Sequence, residues 1–380
     1  MRILHLCLSN FYVDEAGYQE NHLVRQHVDD GHEVLVIAST ETFDGKGGLE
    51  YRKPGSYLGS DGARVIRLSY TRWLPHKIAR KLRIHHGVYA LINDFKPDAI
   101  LFHGCAGNEI VTAASYASDN PDVLLYADSH EDFNNSARGF VSKNILHRLY
   151  YRNRIQRALP QIRKILCVNV EAMNFVSELY GVPKDRLEFF PLGGKVLESA
   201  DISSRRARTR AQHRLSDDVF VFVQSGKMTV RKKLADSLDA FSRLEGDHLR
   251  FWITGLLTAD IKEEISARIE ADTRVSFLGW KSLDELNDLL CAADAYVQPG
   301  TQSVTMQNAL CCGCPVIIDD VPGHQPYISA GATLVRNKSS LIDAMQDALH
   351  WDRDEKRTKA MHFAKATLDY KKLATRILKA

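Results

Sequence analysis

Ile3-Leu4-His5-Leu6-Cys7-Leu8 is a largely apolar run of strand length at the start of the chain. Leu23, Val24 and Val28 follow at helical spacing, and Gly31-His32-Glu33 then breaks into a second run, Val34-Leu35-Val36-Ile37. Strand, helix and strand in this order make a βαβ unit, and strands without polar alternation belong to a parallel sheet covered on both faces. The rhythm continues through Ala99-Ile100-Leu101-Phe102, Val123-Leu124-Leu125-Tyr126 and Ile165-Leu166-Cys167-Val168. It pauses over 196–218, a polar, Arg-rich stretch that reads as a linker with a short helix. It restarts with Val219-Phe220-Val221-Phe222-Val223, Leu249-Arg250-Phe251-Trp252-Ile253, Val275-Ser276-Phe277-Leu278, Ala295-Tyr296-Val297 and Pro315-Val316-Ile317-Ile318. The expectation is an α/β protein of two doubly wound domains, 1–195 and 219–354, facing across a cleft. A Lys-rich helix over 355–380 has no strand after it and is free to pack back on the first domain. In such sheets ligands bind outside the carboxyl ends of the strands.

A length of 380 residues fits two domains of roughly 150 residues each. The 50 Lys and Arg against 47 Asp and Glu leave +3, so the overall charge calls for no nucleic acid. No apolar run approaches the ~20 residues that span a bilayer. The opening residues lack the small-residue cleavage site of a signal peptide, so a reduced, cytoplasmic protein is expected. The 7 cysteines include Cys311, Cys312 and Cys314, whose spacing suits buried small side chains better than a zinc site.

The turn after the first strand, Ser9 to Gly17, carries one glycine and two carboxylates, not G-x-G-x-x-G, and no G-x-x-x-x-G-K-[ST] occurs. The second half has a phosphate site of another kind. Gln224-Ser225-Gly226-Lys227-Met228-Thr229-Val230-Arg231-Lys232-Lys233 leads from a strand to a helix holding Leu234, Leu238 and Phe241. Gly226 lets a ligand approach the backbone, the helix start offers N–H groups, and Lys227 and Lys232 add charge. Cations at a helix start oppose its dipole, which weighs against a merely solvated basic face.

Gly226 through Leu234, with Ala240-Phe241, resembles the G-R-L-x-x-x-K-G-(x)-A-F segment of family 4 glycosyltransferases, retaining enzymes of GT-B fold. Lys232 falls on the family's diphosphate-binding Lys, and Lys227 where it usually has Arg. Gly17-Tyr18-Gln19-Glu20 is similar to its G-G-x-E turn, Gly31-His32-Glu33-Val34 to G-H-E-V, and Pro97-Asp98-Ala99-Ile100-Leu101-Phe102-His103 to P-D-(V/I)-(I/V)-x-x-H. Ser129-His130-Glu131 resembles its strand-end H-(D/E), and Tyr180-Gly181-Val182-Pro183 with Pro191-Leu192-Gly193-Gly194 its Y-G-V-P…P-N-G-V. Val275-Ser276-Phe277-Leu278-Gly279-Trp280 and Cys312-Gly313-Cys314-Pro315-Val316 are similar to V-x-F-L-G and C-G-x-P-V. The family usually carries E-x7-E just before that last motif. Counting back puts Gly300 and Asn308 there, so both carboxylates are missing.

The resemblance implies a nucleotide-diphosphate sugar as donor substrate, no other cofactor, and no metal ion. It implies His130 near the donor sugar, with His103 a weaker candidate of the same kind, and Lys227 and Lys232 on the leaving diphosphate. Gly17 then lets the first-domain loop approach phosphates and acceptor. Gly279 and Trp280 present backbone groups to the base, although ordinary packing accounts for Trp280 equally well. Gln302, Ser303 and Val304 supply side chains or loop amides to sugar hydroxyls, and Asn308 replaces a carboxylate toward the ribose. A silent nucleotide-sugar-binding protein is the alternative that the missing pair motivates. Residues 72–86 and 133–170 hold many cations and no acid, interleaved with apolar residues. Basic amphipathic helices of this kind lie on anionic membranes, which points to a glycan or lipid-linked acceptor and a peripheral membrane contact.

Overall fold

The computed structural model describes residues 1–43, 48–300 and 303–379. The chain divides into two compact units, Met1–Pro191 with Tyr370–Ala380, and Leu192–Asp369.

The first unit contains β1 (Arg2–Cys7), β2 (Glu33–Ser39), β3 (Glu41–Phe43), β4 (Leu49–Tyr51), β5 (Gly55–Leu58) and β6 (Arg64–Leu68). It continues with β7 (Ala99–Phe102), β8 (Leu124–Ser129), β9 (Ile165–Cys167) and β10 (Leu187–Phe189). Eight of these form one sheet in the order β10-β9-β8-β7-β1-β2-β6-β5, parallel except for β5, while β3 and β4 pair separately. All four residues of β7 and all six of β8 are buried, as expected for strands packed on both faces. Ile3, Leu101 and Leu166 pack with Leu23 of the helix Gln19–Asp29 and with Leu373, Ala374 and Ile377 near the carboxyl terminus.

The second unit holds β11 (Phe220–Met228), β12 (Leu249–Leu257), β13 (Val275–Phe277), β14 (Ala295–Gln298), β15 (Val316–Asp319) and β16 (Thr333–Val335). They form an all-parallel sheet in the order β13-β12-β11-β14-β15-β16. The order reverses between β1 and β7 in one unit and between β11 and β14 in the other, which is where doubly wound sheets bind ligands.

The segment 196–218, expected as a linker, is part of the second unit. Its helix, Ser199–Gln212, lies against the helix Leu283–Ala292, with Arg205 at 2.8 Å from Asp284 and 2.6 Å from Asp288. Arg206 and Arg210 reach the buried Asp294 at 2.7 and 3.4 Å, so the Arg-rich composition serves specific carboxylates within a packed domain. The expected 355–380 helix is also divided. Arg353–Phe363 and a π turn, Ala364–Leu368, belong to the second unit, and Tyr370–Arg376 belongs to the first. The chain therefore passes between units at Pro191–Leu192 and at Asp369–Tyr370, and Gly194 forms a parallel bridge with Asp369.

Candidate active site

In the second unit the carboxyl ends of three neighbouring strands present a ledge of glycines. β11 does not stop at Val223, as the apolar run suggests, but runs to Met228, so Gly226 and Lys227 are strand residues. Gly226 is in register with Gly255 of β12, and Gly255 N–H donates to Gly279 O at 2.8 Å. A Cβ on Gly255 would sit 1.9 Å from Gly226 O, so only glycine lets β11 and β12 approach there. Gly226 and Gly279 have φ of +126° and +70°, and nothing lies within 4 Å of where their Cβ atoms would be. The backbone above them is open to a ligand.

Beyond β11, Val230–Lys232 makes a 3₁₀ turn, and Lys233 at φ +51° caps the helix Leu234–Phe241. Gln224 Nε2 donates to Lys232 O at 2.9 Å, tying the turn to β11. Gly300, after β14, lies against the same turn: a Cβ there would be 2.2 Å from Arg231 O. A glutamate at 300 has no room, so the absence of the first family carboxylate is built into the turn's position. Lys227 is exposed, whereas Lys232 is half-buried. Burial, with Arg231 adding repulsion, pushes the Lys232 ammonium down to about 8. An anion at this turn pairs with Lys232 only while it is protonated. Affinity for a diphosphate is therefore expected to fall as pH rises above about 8, with a limiting slope of about tenfold per unit. Titration calorimetry with UDP across that range checks it.

Ser303 caps the helix Val304–Cys311 by accepting from Thr305 N at 3.1 Å, and Val304 is partly exposed. Asn308 is half-buried on that helix, its Oδ1 3.1 Å from where a Gly194 Cβ would stand. Gln302 lies outside the described residues. Trp280, 67 % exposed, is not a core residue, so packing does not account for it. Gly226, Lys227, Lys232, Gly279 and Trp280 thus share one edge of the sheet with Ser303. Gly255 escaped the sequence reading. Thr254-Gly255 falls near the end of β12 as Ser225-Gly226 does near the end of β11, but what requires glycine there is a contact with the neighbouring strand.

In the first unit Gly17 stands before the helix Gln19–Asp29 with only ordinary contacts around its Cβ position. The preceding loop is anchored by Asp14, which meets Arg67 at 3.0 Å and Arg52 at 2.6 Å. His130 follows β8. Its Nε2 is 3.9 Å from Asp128 Oδ1 and has no hydrogen-bond partner among the described residues. His103 is not a ligand-facing residue: it is fully buried, donating Nδ1–H to Asp128 Oδ2 at 2.6 Å. Its Nε2 meets His5 Nδ1 at 2.9 Å, His5 Nε2 meets His27 Nδ1 at 3.0 Å, and His27 Nε2 meets Ala374 O at 3.1 Å. Burial works against charge on His103, but Asp128 outweighs it and raises the imidazole above its usual range. A cavity of about 360 Å³ opens by the carboxyl ends of β1, β2 and β8, lined in part by Ser9, Ser39 and Glu131. Among the described residues Cys311, Cys312 and Cys314 are buried and form no disulfide, and no metal-binding cluster occurs.

Two tandem doubly wound units, each with a ligand edge where its strand order reverses, define the GT-B class of glycosyltransferase. Full-length similarity to solved structures agrees. HepE of Anabaena, crystallised with UDP, is 15 % identical, with 100 % of this chain and 98 % of that one covered at a TM-score of 0.68. Sucrose-phosphate synthase of Thermosynechococcus elongatus is 15 % identical over 99 % and 97 % at 0.64. WaaG, a glycosyltransferase of lipopolysaccharide biosynthesis, is 14 % identical over 100 % of both chains at 0.63. No curated protein matches the sequence. The profile of glycosyltransferase family 4 matches residues 21–193, and that of group 1 glycosyl transferases matches 218–350. The chain belongs to the family 4 glycosyltransferases, enzymes of nucleotide-sugar glycosyl transfer.

Proposed function

We propose that the protein transfers a glycosyl unit, with retention and without a metal ion, from a nucleotide-diphosphate sugar to a glycan or lipid-linked acceptor. The observation that carries this is the open ledge of Gly226 and Gly279 beside the half-buried Lys232. Backbone lets the diphosphate come close, and Lys232 with Lys227 neutralises the charge that develops as it departs. Such electrostatic stabilisation commonly contributes more to catalysis than any other single effect. In the front-side reaction the bond from the anomeric carbon to the diphosphate oxygen breaks. The acceptor oxygen bonds to that carbon from the same face, and its proton passes to the departing diphosphate. His130 contacts the donor sugar, Trp280 and Gly279 face the base, and Ser303, Val304 and Asn308 serve the sugar and ribose hydroxyls. Gly17 leaves the first-unit loop backbone accessible.

HepE is crystallised with UDP, with UDP and glucose, and with UDP-glucose, so UDP-sugars are the first donors to test. WaaG acts in lipopolysaccharide biosynthesis, in line with a surface polysaccharide or glycoconjugate as product. No helix among the described residues is long and apolar enough to cross a membrane, and we assign a cytoplasmic location with peripheral contact to an anionic surface. The test is release of nucleoside diphosphate from UDP-, GDP- and ADP-sugars, with the anomeric configuration of any product read by NMR. Turnover of one donor, unaffected by EDTA and with retained configuration, is expected. Binding without turnover on any acceptor would instead favour the silent protein, which the missing carboxylates at 300 and 308 allow.

A further inference from the structure

We propose that the first unit binds one amphiphilic ligand, with an anionic phosphate head in the 360 Å³ cavity and a hydrocarbon chain in the groove beside it. The inference deepens the transferase reading and rests on it for the ligand's role as acceptor.

The head site is electropositive. Lys81, Arg83 and Arg138 line the cavity, and none of them has a carboxylate within ion-pair distance among the described residues. Four cations, Arg80, Lys81, Arg83 and Arg138, face two carboxylates in the cavity. Glu41 holds Arg80 at 2.6 Å and accepts from Tyr70 and Tyr51, and Glu131 accepts from Tyr180 at 2.8 Å. Arg83 is itself held, donating to Ala106 O and lying 5.6 Å from the Tyr151 ring centroid. Its volume falls in the ~300–1,000 Å³ range of small-ligand sites.

The chain site adjoins it. Ile78 and Leu82 of the helix His76–Leu82, with Val141, Ile145 and Leu149 around the helix Ser142–Tyr151, line a groove of about 890 Å³. Ile145 and Leu149 are 54 % and 69 % exposed, and Phe140 next to the groove is 80 % exposed. Contiguous exposed apolar surface of this kind marks a binding face. Lys81, Ser142 and Leu146 line both cavity and groove, so the two adjoin along these side chains. Neither 72–86 nor 133–170 contains a run of acids to offset these cations, and the groove itself is lined by none, so whatever covers it meets only positive charge. A protein helix would match the apolar groove but leave the adjoining cation cavity unused. One molecule with a phosphate at the end of a hydrocarbon chain uses both.

The full chain is tested by co-sedimentation with phosphatidylcholine vesicles carrying phosphatidic acid, phosphatidylglycerol or diacylglycerol, with inorganic phosphate as competitor. Phosphatidic acid is expected to bind at least about tenfold tighter than diacylglycerol, and tighter than phosphatidylglycerol. The pair Ile145→Asp and Leu149→Asp is expected to lose vesicle binding with an unchanged thermal midpoint. The pair Lys81→Ala and Arg138→Ala is expected to lose only the preference for phosphatidic acid. Equal binding to phosphatidic acid and phosphatidylglycerol means surface charge alone and overturns the head site. Binding that survives the aspartate pair overturns the chain site. Binding of UDP, GDP and ADP by the same wild-type protein is measured alongside. A protein that binds a nucleoside diphosphate but no lipid defeats this inference alone, while lipid binding with no binding of UDP, GDP or ADP defeats the transferase reading.

Discussion

Lys232→Ala is expected to lower kcat/KM for the sugar donor about 10²–10³-fold, the range seen when one preorganised charge-stabilising donor is removed from an active site. The magnitude follows from where the side chain sits. Lys232 is half-buried in a turn whose backbone is fixed by Gln224 and by Gly300, so the stem of its side chain starts from a held position. Burial already lowers its proton affinity to about 8, which means the empty site disfavours the charge that a diphosphate would satisfy. Lys227 is exposed on β11, and its contribution is screened, so Lys227→Ala is expected to lower the same quantity only about tenfold. Lys233, one residue on, pairs with Asp319 at 3.3 Å and serves as a control for charge in the segment. Its removal is expected to leave donor affinity within about twofold of wild type. Stability separates function from folding here. A lysine with a depressed folded value opposes folding while charged, so Lys232→Ala should keep or raise the thermal midpoint at neutral pH. Steady-state kinetics with calorimetry decide the matter. A Lys232→Ala enzyme of full activity removes the diphosphate site from this turn.

Much of this was legible in the sequence, because buried parallel strands announce themselves as apolar runs. Every run read as a strand is one, within a residue or a few at its ends, although β11 is longer than its run. Missed strands had a different chemistry. β6 contains Arg64 and Arg67, which interrupt its apolar run, and Arg67 is buried against Asp14, far away in sequence, at 3.0 Å. β10 and β16, three residues each, were missed as well. The arginines of 199–212 looked like a linker for the same reason: their partners Asp284, Asp288 and Asp294 lie about eighty residues on. Gly226 was visible as a local motif. The need for Gly255 was not, since it arises from Gly226 O on the neighbouring strand. Position 300 is the clearest case. Sequence registers a lost carboxylate, whereas the structure shows a backbone contact with Arg231 that excludes any side chain.

The histidines of the first unit were the least legible feature, and they give the largest expected effect on stability. Four hydrogen bonds link Asp128, His103, His5, His27 and the Ala374 carbonyl in series. Each needs one proton. Three neutral imidazoles bring only three, and both ends are acceptors, so the series is complete only with one imidazolium. His103 is its place, where Asp128 outweighs burial. Burial instead lowers His5 and His27, the latter to about 4, and keeps them neutral with Nε2–H pointing toward Ala374 O. Loss of the His103 proton reverses both tautomers and sets the His27 lone pair against that carbonyl. The signs follow. His103 is raised, so its contribution is whole below about pH 6.5 and is lost as pH rises through its folded value. His5 and His27 are lowered, so stability also falls as acid below about pH 6.5 protonates the unfolded chain. Asp128→Ala leaves a buried charge unpaired and is expected to cost about 3–5 kcal/mol. Asp128→Asn is different. Its amide oxygen keeps the bond to Gly104 N, and its amide nitrogen donates to His103 Nδ1, so the whole series closes with neutral rings. That variant is expected to lose no more than about 1.5 kcal/mol near neutrality and to shed the alkaline decline. Urea unfolding of the three proteins between about pH 6 and 9 reads both effects. An alkaline decline that persists unchanged in Asp128→Asn would falsify the proton assignment.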